Sequence, residues 1–363
     1  MPVMATPVEE RKQPADRAVA REPAHRFDAV VLVSFGGPEG PDDVMPFLEN
    51  VTRGRNVPRE RLLDVAHHYD LFGGVSPINA QNRALVAALD PELRRRGIEL
   101  PLYFGNRNWR PYLADTMRQM TADGVRRALA VFTSAFSSYS GCRQYREDLY
   151  NAQQAAGPNA PEVPRVRMFF NHPGFVEANV ERVRTAIAEL GTADVHIAFT
   201  AHSIPSAMAA NCAYEAQLAE TARLVAGAVG VQDWAVVYQS RSGSPHVPWL
   251  EPDIGDHLRQ LRERGVSAVV ISPIGFVSDH LEVRFDLDVE AREIADELGL
   301  PMARAGTAGT HPAFVAGLAD LIVERMTPGA ERPALGRFGP SHDVCAPDCC
   351  LPGTGRPSPW DAG

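Results

Sequence analysis

Short apolar runs alternate with longer amphipathic stretches along most of the chain. The runs have the length of buried strands and lie at residues 29–33, 102–105, 127–133, 166–170, 195–200, 234–239 and 266–271. The stretches between them have helical spacing, which predicts helices at 42–51, 58–68, 113–123, 175–190, 214–229, 253–264 and 282–293, and one that starts near residue 78. Strands that alternate with helices of this length form parallel sheets of the doubly wound type. The pattern therefore predicts an α/β fold.

Two helix starts share a pattern that indicates an internal repeat. His172-Pro173 and His311-Pro312 each place a proline at a predicted first helical position, behind a polar cap. Duplication of one α/β unit and a chance likeness explain this pattern equally well.

Composition argues against several classes of protein. A chain of 363 residues is long enough for two domains, and its formal net charge of −9 argues against nucleic acid as the main partner. No apolar run reaches the roughly eighteen residues of a membrane-spanning helix. The only lysine is Lys12, in the N-terminal tail. Schiff-base enzymes, pyridoxal phosphate enzymes and P-loop NTPases are disfavoured, because each needs a lysine in the folded body.

Both ends of the chain lack an amphipathic pattern. Residues 1–26 are charged and rich in proline and alanine, without the apolar stretch of a signal peptide, which predicts a disordered tail. Residues 329–363 are rich in proline and glycine and carry three of the five cysteines. An odd number of cysteines without a secretion signal indicates a reducing compartment, so we expect a cytoplasmic protein.

Three carboxylates are spaced four residues apart on the predicted helix 282–293. Glu282, Asp286 and Glu290 therefore share one helix face, although like charges at this spacing destabilise a helix. A solvated acidic face is one explanation. The other is a divalent metal site, because the three acids follow the carboxyl end of a predicted strand and Asp279 and His280 come one turn before them.

A histidine follows the strand predicted at 195–200. His202 lies in the same half of the chain as the acidic residues, so both features can face one crevice at the carboxyl edge of the sheet. A single histidine is more often structural than catalytic. An imidazole opposite a carboxylate, however, can accept protons or deliver a divalent metal. The two features together favour a catalytic site.

Four cysteines supply enough thiolates for an iron–sulfur cluster. They are Cys142, Cys345, Cys349 and Cys350, whereas Cys212 lies in apolar surroundings typical of a core. The spacing is not that of a zinc C-x-x-C pair, and buried free thiols are the alternative. A cluster is favoured because a C-terminal segment of this composition has little reason to order without a cross-link.

A basic loop separates the first two predicted helices. Arg53 and Arg55 lie in it beside a glycine, and arginines there suit the recognition of carboxylates. The aromatic and aliphatic residues of segment 45–77 either line a flat apolar pocket or close an ordinary core.

Five short stretches carry a family resemblance. In one-letter code they are LVSFGGP at 32–38, GGVSP at 73–77, FTAHSIP at 199–205, YQSR at 238–241, and PIGF at 273–276 with DHLEV at 279–283. In these residues, taken in order from about Phe27 to Met326, the chain resembles the ferrochelatases, which insert ferrous iron into a porphyrin. The cysteines resemble those of the subgroup with a [2Fe–2S] cluster, and the arginine-rich composition is similar to that of actinobacterial members.

The resemblance implies two Rossmann-like halves of the chelatase type with a porphyrin cleft between them. We expect an N-terminal domain at 27–190 that includes the cleft segment 45–77, a C-terminal catalytic domain at 191–328, and a cluster-binding tail at 329–363. It also implies roles for individual residues. His202 and Glu282 would be the catalytic pair that contacts the metal, Asp286 and Glu290 would continue an acidic path for iron or protons, and the four cysteines would hold a [2Fe–2S] cluster.

Four residues are expected to contact the porphyrin: Phe35, Arg53, Arg55 and Ser76. Phe35 stands where some bacterial relatives have a tyrosine that can touch the metal, and its ring has no ligand atom, so no axial ligand is expected there. The arginines are candidates for the propionates of the porphyrin.

Several alternatives remain open for the substrate and for the activity. The resemblance to actinobacterial members favours coproporphyrin III, with four propionates, over protoporphyrin IX, with two. A cobalt or nickel chelatase of another tetrapyrrole, a haem or metal carrier without turnover, and an iron–sulfur redox protein are the other readings. A downstream enzyme of the haem pathway is a candidate protein partner.

Overall fold

The computed structural model describes residues 26–54, 56–243 and 246–354, so the predicted disordered tail 1–26 lies almost entirely outside it. Within these ranges, seven strands form two parallel sheets, one of three strands and one of four. The strands are β1 (Ala29–Ser34), β2 (Leu102–Asn106), β3 (Ala128–Phe132), β4 (His196–His202), β5 (Trp234–Gln239), β6 (Val269–Ser272) and β7 (Met302–Arg304). The predicted α/β fold with two parallel-sheet halves is confirmed.

Helices cover both sheets. Those in the described ranges are α1 (Pro41–Val51), α2 (Arg59–Asp70), α3 (Ile78–Arg95), α4 (Leu113–Ala122), α5 (Gln144–Ala156), α6 (Pro173–Leu190), α7 (Ser206–Ala209), α8 (Tyr214–Val229), α9 (Ile254–Glu263), α10 (Leu281–Val283), α11 (Ala291–Glu297) and α12 (Pro312–Met326). Two π-helices, Tyr139–Arg143 and Arg284–Glu290, interrupt this series. None of the helices described combines the length and the apolar character that a membrane crossing requires.

The strand order of the C-terminal sheet creates a switch point at the carboxyl end of β4. The N-terminal sheet has the order β2-β1-β3 and the C-terminal sheet the order β5-β4-β6-β7. From β4 the chain goes first to β5 on one side and later to β6 on the other, so the connections diverge at the carboxyl end of β4. Open parallel sheets bind ligands at such switch points. His202 is the last residue of β4 and pairs with Gln239 at the end of β5.

The predicted strand at 166–170 is wrong. This segment follows the edge of β3 with only isolated parallel bridges, Arg127 to Glu162 and Ala130 to Arg165. Pro161 and Pro164 come just before it, and a proline removes a backbone donor from the ladder. The segment is therefore an irregular, extended edge rather than a fourth strand.

The predicted helix 282–293 is also wrong in its form. It consists of α10, the π-helix Arg284–Glu290 and α11 in direct succession. Within a π-helix the hydrogen bonds run from i to i+5, which turns the side chains relative to an α-helix, and such segments are frequent at functional sites.

One apolar core joins the two halves. The rings of Phe136 and Phe175 have centroids 6.1 Å apart, and those of Phe175 and Phe314 are 5.7 Å apart. Helix α6 also reaches the C-terminal sheet, because Arg182 donates to the carbonyl oxygen of Thr307 at 3.2 Å. The strands of both sheets are largely buried, as expected when helices cover both faces.

The two predicted helix starts have the same cap. Nδ1 of His172 accepts from the backbone N–H of Gly174, and Nδ1 of His311 accepts from that of Ala313, both at 3.2 Å. A proline follows each histidine at the first helical position, as predicted.

A buried histidine pair lies at the opposite edge of the C-terminal sheet. Nε2 of His196 and Nε2 of His257 are 3.0 Å apart, and Nδ1 of His196 lies 3.0 Å from Asp233, which also pairs with Arg264. Burial lowers the pKa of both histidines, that of His257 from 6.5 to about 4. Two imidazoles this close cannot both be charged without strong repulsion.

The histidine pair predicts a loss of stability in mild acid. Between pH 6.5 and about 4 the unfolded chain binds protons that the folded chain excludes at His257, so the free energy of unfolding falls as the pH falls. Each excluded proton contributes about 1.4 kcal/mol per pH unit. His257→Gln should flatten this slope in denaturant titrations at several pH values. His67→Gln, at an exposed histidine, is the control. Equal slopes in both variants would contradict the prediction.

Candidate active site

The predicted histidine and acid meet at the carboxyl edge of the C-terminal sheet. Nε2 of His202, at the end of β4, lies 3.6 Å from Oε2 of Glu282 in α10. His280 approaches the same oxygen of this carboxylate, with its Nδ1 3.8 Å from Oε2. The side chains of His202 and Glu282 are 32% and 53% exposed, so the pair opens to solvent. The structure thus brings the two residues together in an accessible position.

The backbone determines which nitrogen of His202 is available. Nδ1 of His202 contacts the carbonyl oxygen of Ser203, which can only accept a hydrogen bond, so Nδ1 carries the proton. In the neutral imidazole the lone pair is then on Nε2, which faces the carboxylate of Glu282. Two electron-rich atoms facing each other at this distance need a proton or a cation between them.

The second acid is buried behind the first. Burial raises the pKa of Asp286 to about 7, and the negative charges of Glu282 and Glu290 act in the same direction. Hydrogen bonds from Ser240 and Gln239 lower it in part. Nε2 of Gln239 donates to Oδ2 of Asp286 at 3.3 Å. Ser240 reaches the same oxygen from a left-handed backbone with φ of 59°, a conformation that costs free energy in a non-glycine residue.

The opposite side of this helical segment is neutralised by arginines. Nε of Arg304 lies 2.6 Å from Oδ1 of Asp288, and Arg284 pairs with Asp288 at 2.7 Å. Within the described ranges none of the three acids of the predicted ladder, Glu282, Asp286 and Glu290, has an arginine partner. Burial raises the pKa of Glu290 as well. The negative charge of the segment is therefore concentrated on the side that carries these acids.

Helix α2 of the N-terminal half closes one side of the site. The ring of His68 stacks on that of Phe285 with centroids 3.7 Å apart, and the guanidinium of Arg284 lies 5.3 Å from the ring of Phe72. Burial and the charge of Glu282 raise the pKa of Tyr69, so its phenol stays protonated beside the carboxylate. The His202–Glu282 pair therefore lies between the two halves of the fold.

The four residues predicted to contact the porphyrin lie in different environments. Phe35 follows β1 and is 38% exposed, with its centroid 6.3 Å from that of Phe47. Arg53 is exposed after α1, whereas Arg55 lies outside the described residues. Ser76 is buried and packs tightly on Gly37, because a Cβ added to Gly37 would lie only 2.7 Å from the Cβ of Ser76. Ser76 thus supports the loop that carries Phe35, and its contact with the porphyrin stays a prediction.

The four predicted cluster cysteines converge. Sγ of Cys142, in the π-helix before α5, is 4.0 Å from Sγ of Cys345, and the sulfur atoms of Cys349 and Cys350 are 3.5 Å apart. Cys142 also contacts Cys350, and Cys345 contacts Cys349. Cys350 has a left-handed backbone with φ of 55°, which lets adjacent cysteines contribute to one site. Four sulfur atoms in one pocket match the donor set of a [2Fe–2S] cluster.

Other residues line this cysteine pocket. Nη2 of Arg165 lies 3.0 Å from Sγ of Cys345, and Nε2 of His342 lies 3.4 Å from the same sulfur. Hydrogen bonds from Cys142 and Cys349, together with the nearby Arg165 guanidinium, lower the pKa of Cys345. His342, Cys345 and Cys349 alone also form a group that can hold a single metal ion.

The C-terminal segment is held by more than its cysteines. Nη2 of Arg167 donates to the carbonyl oxygen of Pro333 at 2.7 Å, and Nη2 of Arg332 donates to Asp343 at 2.9 Å. The side-chain amide of Asn171 donates to the carbonyl oxygens of residues 335 and 339. These contacts stabilise the segment in addition to any cluster, and the expectation that a cluster orders it stays a prediction.

Comparison with known proteins identifies the family. The ferrochelatase family model matches residues 27–326. The chain belongs to the ferrochelatase family. It is 58% identical over 334 residues to a ferrochelatase of Rhodopirellula baltica, covering 91% of this chain and 95% of that protein. It is 53% identical over 363 residues to the coproporphyrin III ferrochelatase of Streptomyces coelicolor, covering 92% and 96% of the two chains.

A solved structure supports the chelatase-type fold. The sirohydrochlorin chelatase SirB of Bacillus subtilis subspecies spizizenii, in complex with cobalt, superposes with a TM-score of 0.51 at 10% sequence identity. The match covers 83% of this chain and 96% of that one.

Several residues of this ferrochelatase-family site carry no signal that sequence reasoning used. Gln239 and Ser240 lie in the YQSR stretch, which contributes to the family resemblance but was not linked to the acids. His68 and Arg304 reach the site only through the packing of α2 and β7, whereas Tyr69 belongs to the aromatic residues of segment 45–77 that were expected to line a pocket or close a core. Strand β7 itself, only three residues long, was not predicted.

Proposed function

We propose that the protein inserts Fe²⁺ into coproporphyrin III and so makes an iron porphyrin for haem biosynthesis. Family membership and the names of the actinobacterial relatives support the reaction and the substrate. The observation that carries the proposal is the open pair formed by Nε2 of His202 and Oε2 of Glu282, 3.6 Å apart. A histidine and a carboxylate so placed suit a reaction that exchanges protons for a cation.

The reaction defines what each group must do. A porphyrin loses two pyrrole N–H protons when it takes up one Fe²⁺, so the site needs a proton acceptor and a path for the cation. The available Nε2 of His202 accepts a pyrrole proton, and the carboxylate of Glu282 faces the metal. Asp286, with a pKa of about 7, can bind and release a proton near neutral pH. Asp286 and Glu290 then carry protons or iron along the acidic side of the segment.

The cleft supplies the free energy for distorting the ring. A porphyrin is planar, and its nitrogen lone pairs become accessible only when the macrocycle bends. Phe35, exposed beside the α1–α2 cluster of apolar side chains, offers a surface for the ring. Binding of the remote parts of the substrate can offset the cost of the distortion.

Arg53 is proposed to bind a propionate. Its side chain is exposed on the loop after α1, and an arginine pairs well with a carboxylate. Arg53→Ala should weaken coproporphyrin III binding about tenfold, the usual effect of losing one charge-assisted hydrogen bond, with the rate at saturation little changed. Fluorescence-quenching titrations measure the affinity, and Arg118→Ala on the exposed face of α4 is the control. An unchanged affinity would remove Arg53 from the porphyrin site.

One experiment separates the proposed activity from its alternatives. The protein is incubated anaerobically with Fe²⁺, Co²⁺ or Ni²⁺ and with coproporphyrin III or protoporphyrin IX, and metallation is followed by absorbance and proton release. Multiple turnovers with Fe²⁺ and coproporphyrin III support the proposal. Binding that stops at one equivalent without proton release would indicate a carrier instead.

The four cysteines are proposed to hold a resident [2Fe–2S] cluster. Their converging sulfur atoms support this assignment. The bound cluster would supply a one-electron redox centre and a cross-link.

None of the five cysteines, all of which the structure describes, is in a disulfide bond, which suits a reducing compartment and supports the proposed cytoplasmic location. We also retain the division into domains at 27–190 and 191–328, with the cleft between them.

The product indicates the kind of enzyme that must follow. Coproporphyrin III carries four propionates, whereas protoporphyrin IX carries two propionates and two vinyl groups. An enzyme that oxidatively decarboxylates two propionates, each with loss of CO₂ and transfer of two electrons to an external oxidant, therefore has to act after iron insertion. An enzyme of this class is the proposed downstream partner.

A further inference from the structure

Arg165 is a buried cation that points at sulfur. It lies on the irregular edge segment beside β3, where its backbone bridges to Ala130, and the residue is only 4% exposed. Nη1 donates to the carbonyl oxygen of Val166 at 2.8 Å, and Nη2 donates to Sγ of Cys345 at 3.0 Å. The side chain therefore extends from the N-terminal half into the cysteine pocket.

Its charge has no carboxylate partner in the described part of the chain. The nearest group that can balance it is Cys345, whose Sγ accepts from Nη2 and whose pKa is lowered, and Sγ of Cys142 lies 4.0 Å beyond that sulfur. Arg167, two residues further along the same segment, is equally buried but binds both oxygens of Glu324. Because an uncompensated buried charge is strongly unfavourable, the sulfur site that begins at Cys345 must provide the counter-charge of Arg165.

We propose that Arg165 is the counter-charge of the iron–sulfur cluster and a determinant of its reduction potential. The inference rests on the proposed [2Fe–2S] cluster. Four thiolates and two sulfides around two Fe³⁺ ions give a net charge of 2−, and uptake of one electron from a one-electron donor makes it 3−. A guanidinium fixed next to a cluster thiolate stabilises the more negative, reduced form. Arg165 is thus a positioning residue that acts on the cluster through Cys345.

The charge and the shape of Arg165 have separable effects. Arg165→Gln removes the charge, so the cluster should be harder to reduce and should lose iron to a chelator about tenfold faster, the usual factor for one lost charge-assisted hydrogen bond. Arg165→Lys keeps the charge without the planar fork that contacts both Cys345 and the backbone. It should retain most of the wild-type potential while losing iron at an intermediate rate.

The test uses the full-length holoprotein and needs no measurement of metallation. Dye-mediated redox titration with dithionite, electron paramagnetic resonance of the reduced sample and iron release to a colorimetric chelator are compared for wild type, Arg165→Gln and Arg165→Lys. Arg167→Gln is the matched control, because it removes an equally buried arginine whose partner is a carboxylate. It should lower thermal stability without shifting the potential.

Each outcome decides a different claim. A lower potential in Arg165→Gln, with recovery in Arg165→Lys, supports the proposal. Equal potentials in wild type and Arg165→Gln, or equal shifts in both Arg165 variants, would overturn it, since the charge would then not be the cause. If the reconstituted wild type shows no [2Fe–2S] spectrum at all, the proposed cluster itself is wrong and the role of Arg165 falls with it. If Arg165→Gln fails to fold, Arg165→Lys alone decides the positioning role, because an iron-release rate equal to that of the wild type would overturn it.

Discussion

His202→Ala should reduce the rate of iron insertion about 10²- to 10⁴-fold, the range typical of a lost general base. The reason is geometric, because Nδ1 of His202 is engaged by the carbonyl oxygen of Ser203 and only Nε2 is available for the reaction. Alanine leaves Glu282 without the imidazole that faces it at 3.6 Å, and His280, 3.8 Å from the same oxygen, is the only imidazole that the described ranges leave beside it. Since the side chain is partly exposed, its removal should change the thermal midpoint little.

The measurement is the initial rate of metallation under anaerobic conditions with saturating Fe²⁺ and porphyrin. Glu282→Gln should show a comparable loss, and the double variant should lose little more than either single one, because residues that act as a unit are not additive. Glu297→Gln is the control, since it makes the same change at an exposed acid at the end of α11. Rates in His202→Ala that match those of Glu297→Gln would exclude the proposed catalytic pair.

The pairing of His202 with Glu282 could be predicted because it depends on strand order alone. Both residues follow buried parallel strands, and β4 and β6 turn out to be neighbours in the sheet. The carboxyl ends of adjacent parallel strands lie at one edge, so their following residues meet. The acids were placed correctly on one segment for the same reason.

The form of that segment could not be predicted. The change from α-helix to π-helix at Arg284 alters the hydrogen-bonding by one residue, and the apolar pattern of a short stretch does not distinguish the two. The sequence does not indicate the left-handed backbone of Ser240 either, because glycine and asparagine are the residues that normally adopt this conformation. Its hydroxyl nevertheless reaches Asp286 and lowers the charge penalty there.

The cysteine pocket shows a second limit of sequence reasoning. Cysteine counting found the four thiols, but Arg165 meets Cys345 across 180 positions of the chain, and no local pattern indicates such a contact. The apolar run 166–170 was read as a strand because its composition resembles one. The prolines before it outweigh that composition and leave the edge irregular, which is the backbone from which Arg165 extends.

Cys345→Ser should abolish the cluster and lower the stability of the protein. The bound cluster would cross-link Cys142 to Cys345 over 203 positions, and a cross-link across so long a loop contributes on the order of 5 kcal/mol in the chain-entropy estimate. For a protein of this size that corresponds to a fall in the thermal midpoint of roughly 7 °C. The ion pairs of Asp343 with Arg332 and Arg325 should keep the variant from unfolding completely.

Loss of the cluster should also reach the active site through α7. Gly353, three residues after Cys350, packs so closely on this helix that a Cβ on it would lie 2.8 Å from the carbonyl oxygen of Ala207. Helix α7 begins four residues after His202, so release of the C-terminal segment removes a support from the catalytic loop. Visible absorbance, thermal melting and metallation rate should therefore all fall in Cys345→Ser and in protein treated with a chelator. Cys212→Ser is the control, because a serine hydroxyl can still donate to the carbonyl oxygens of Met208 and Ala209. Absorbance, melting and rate should stay unchanged in this variant. Losses equal to those of Cys345→Ser would assign the effect to local packing instead of the cluster.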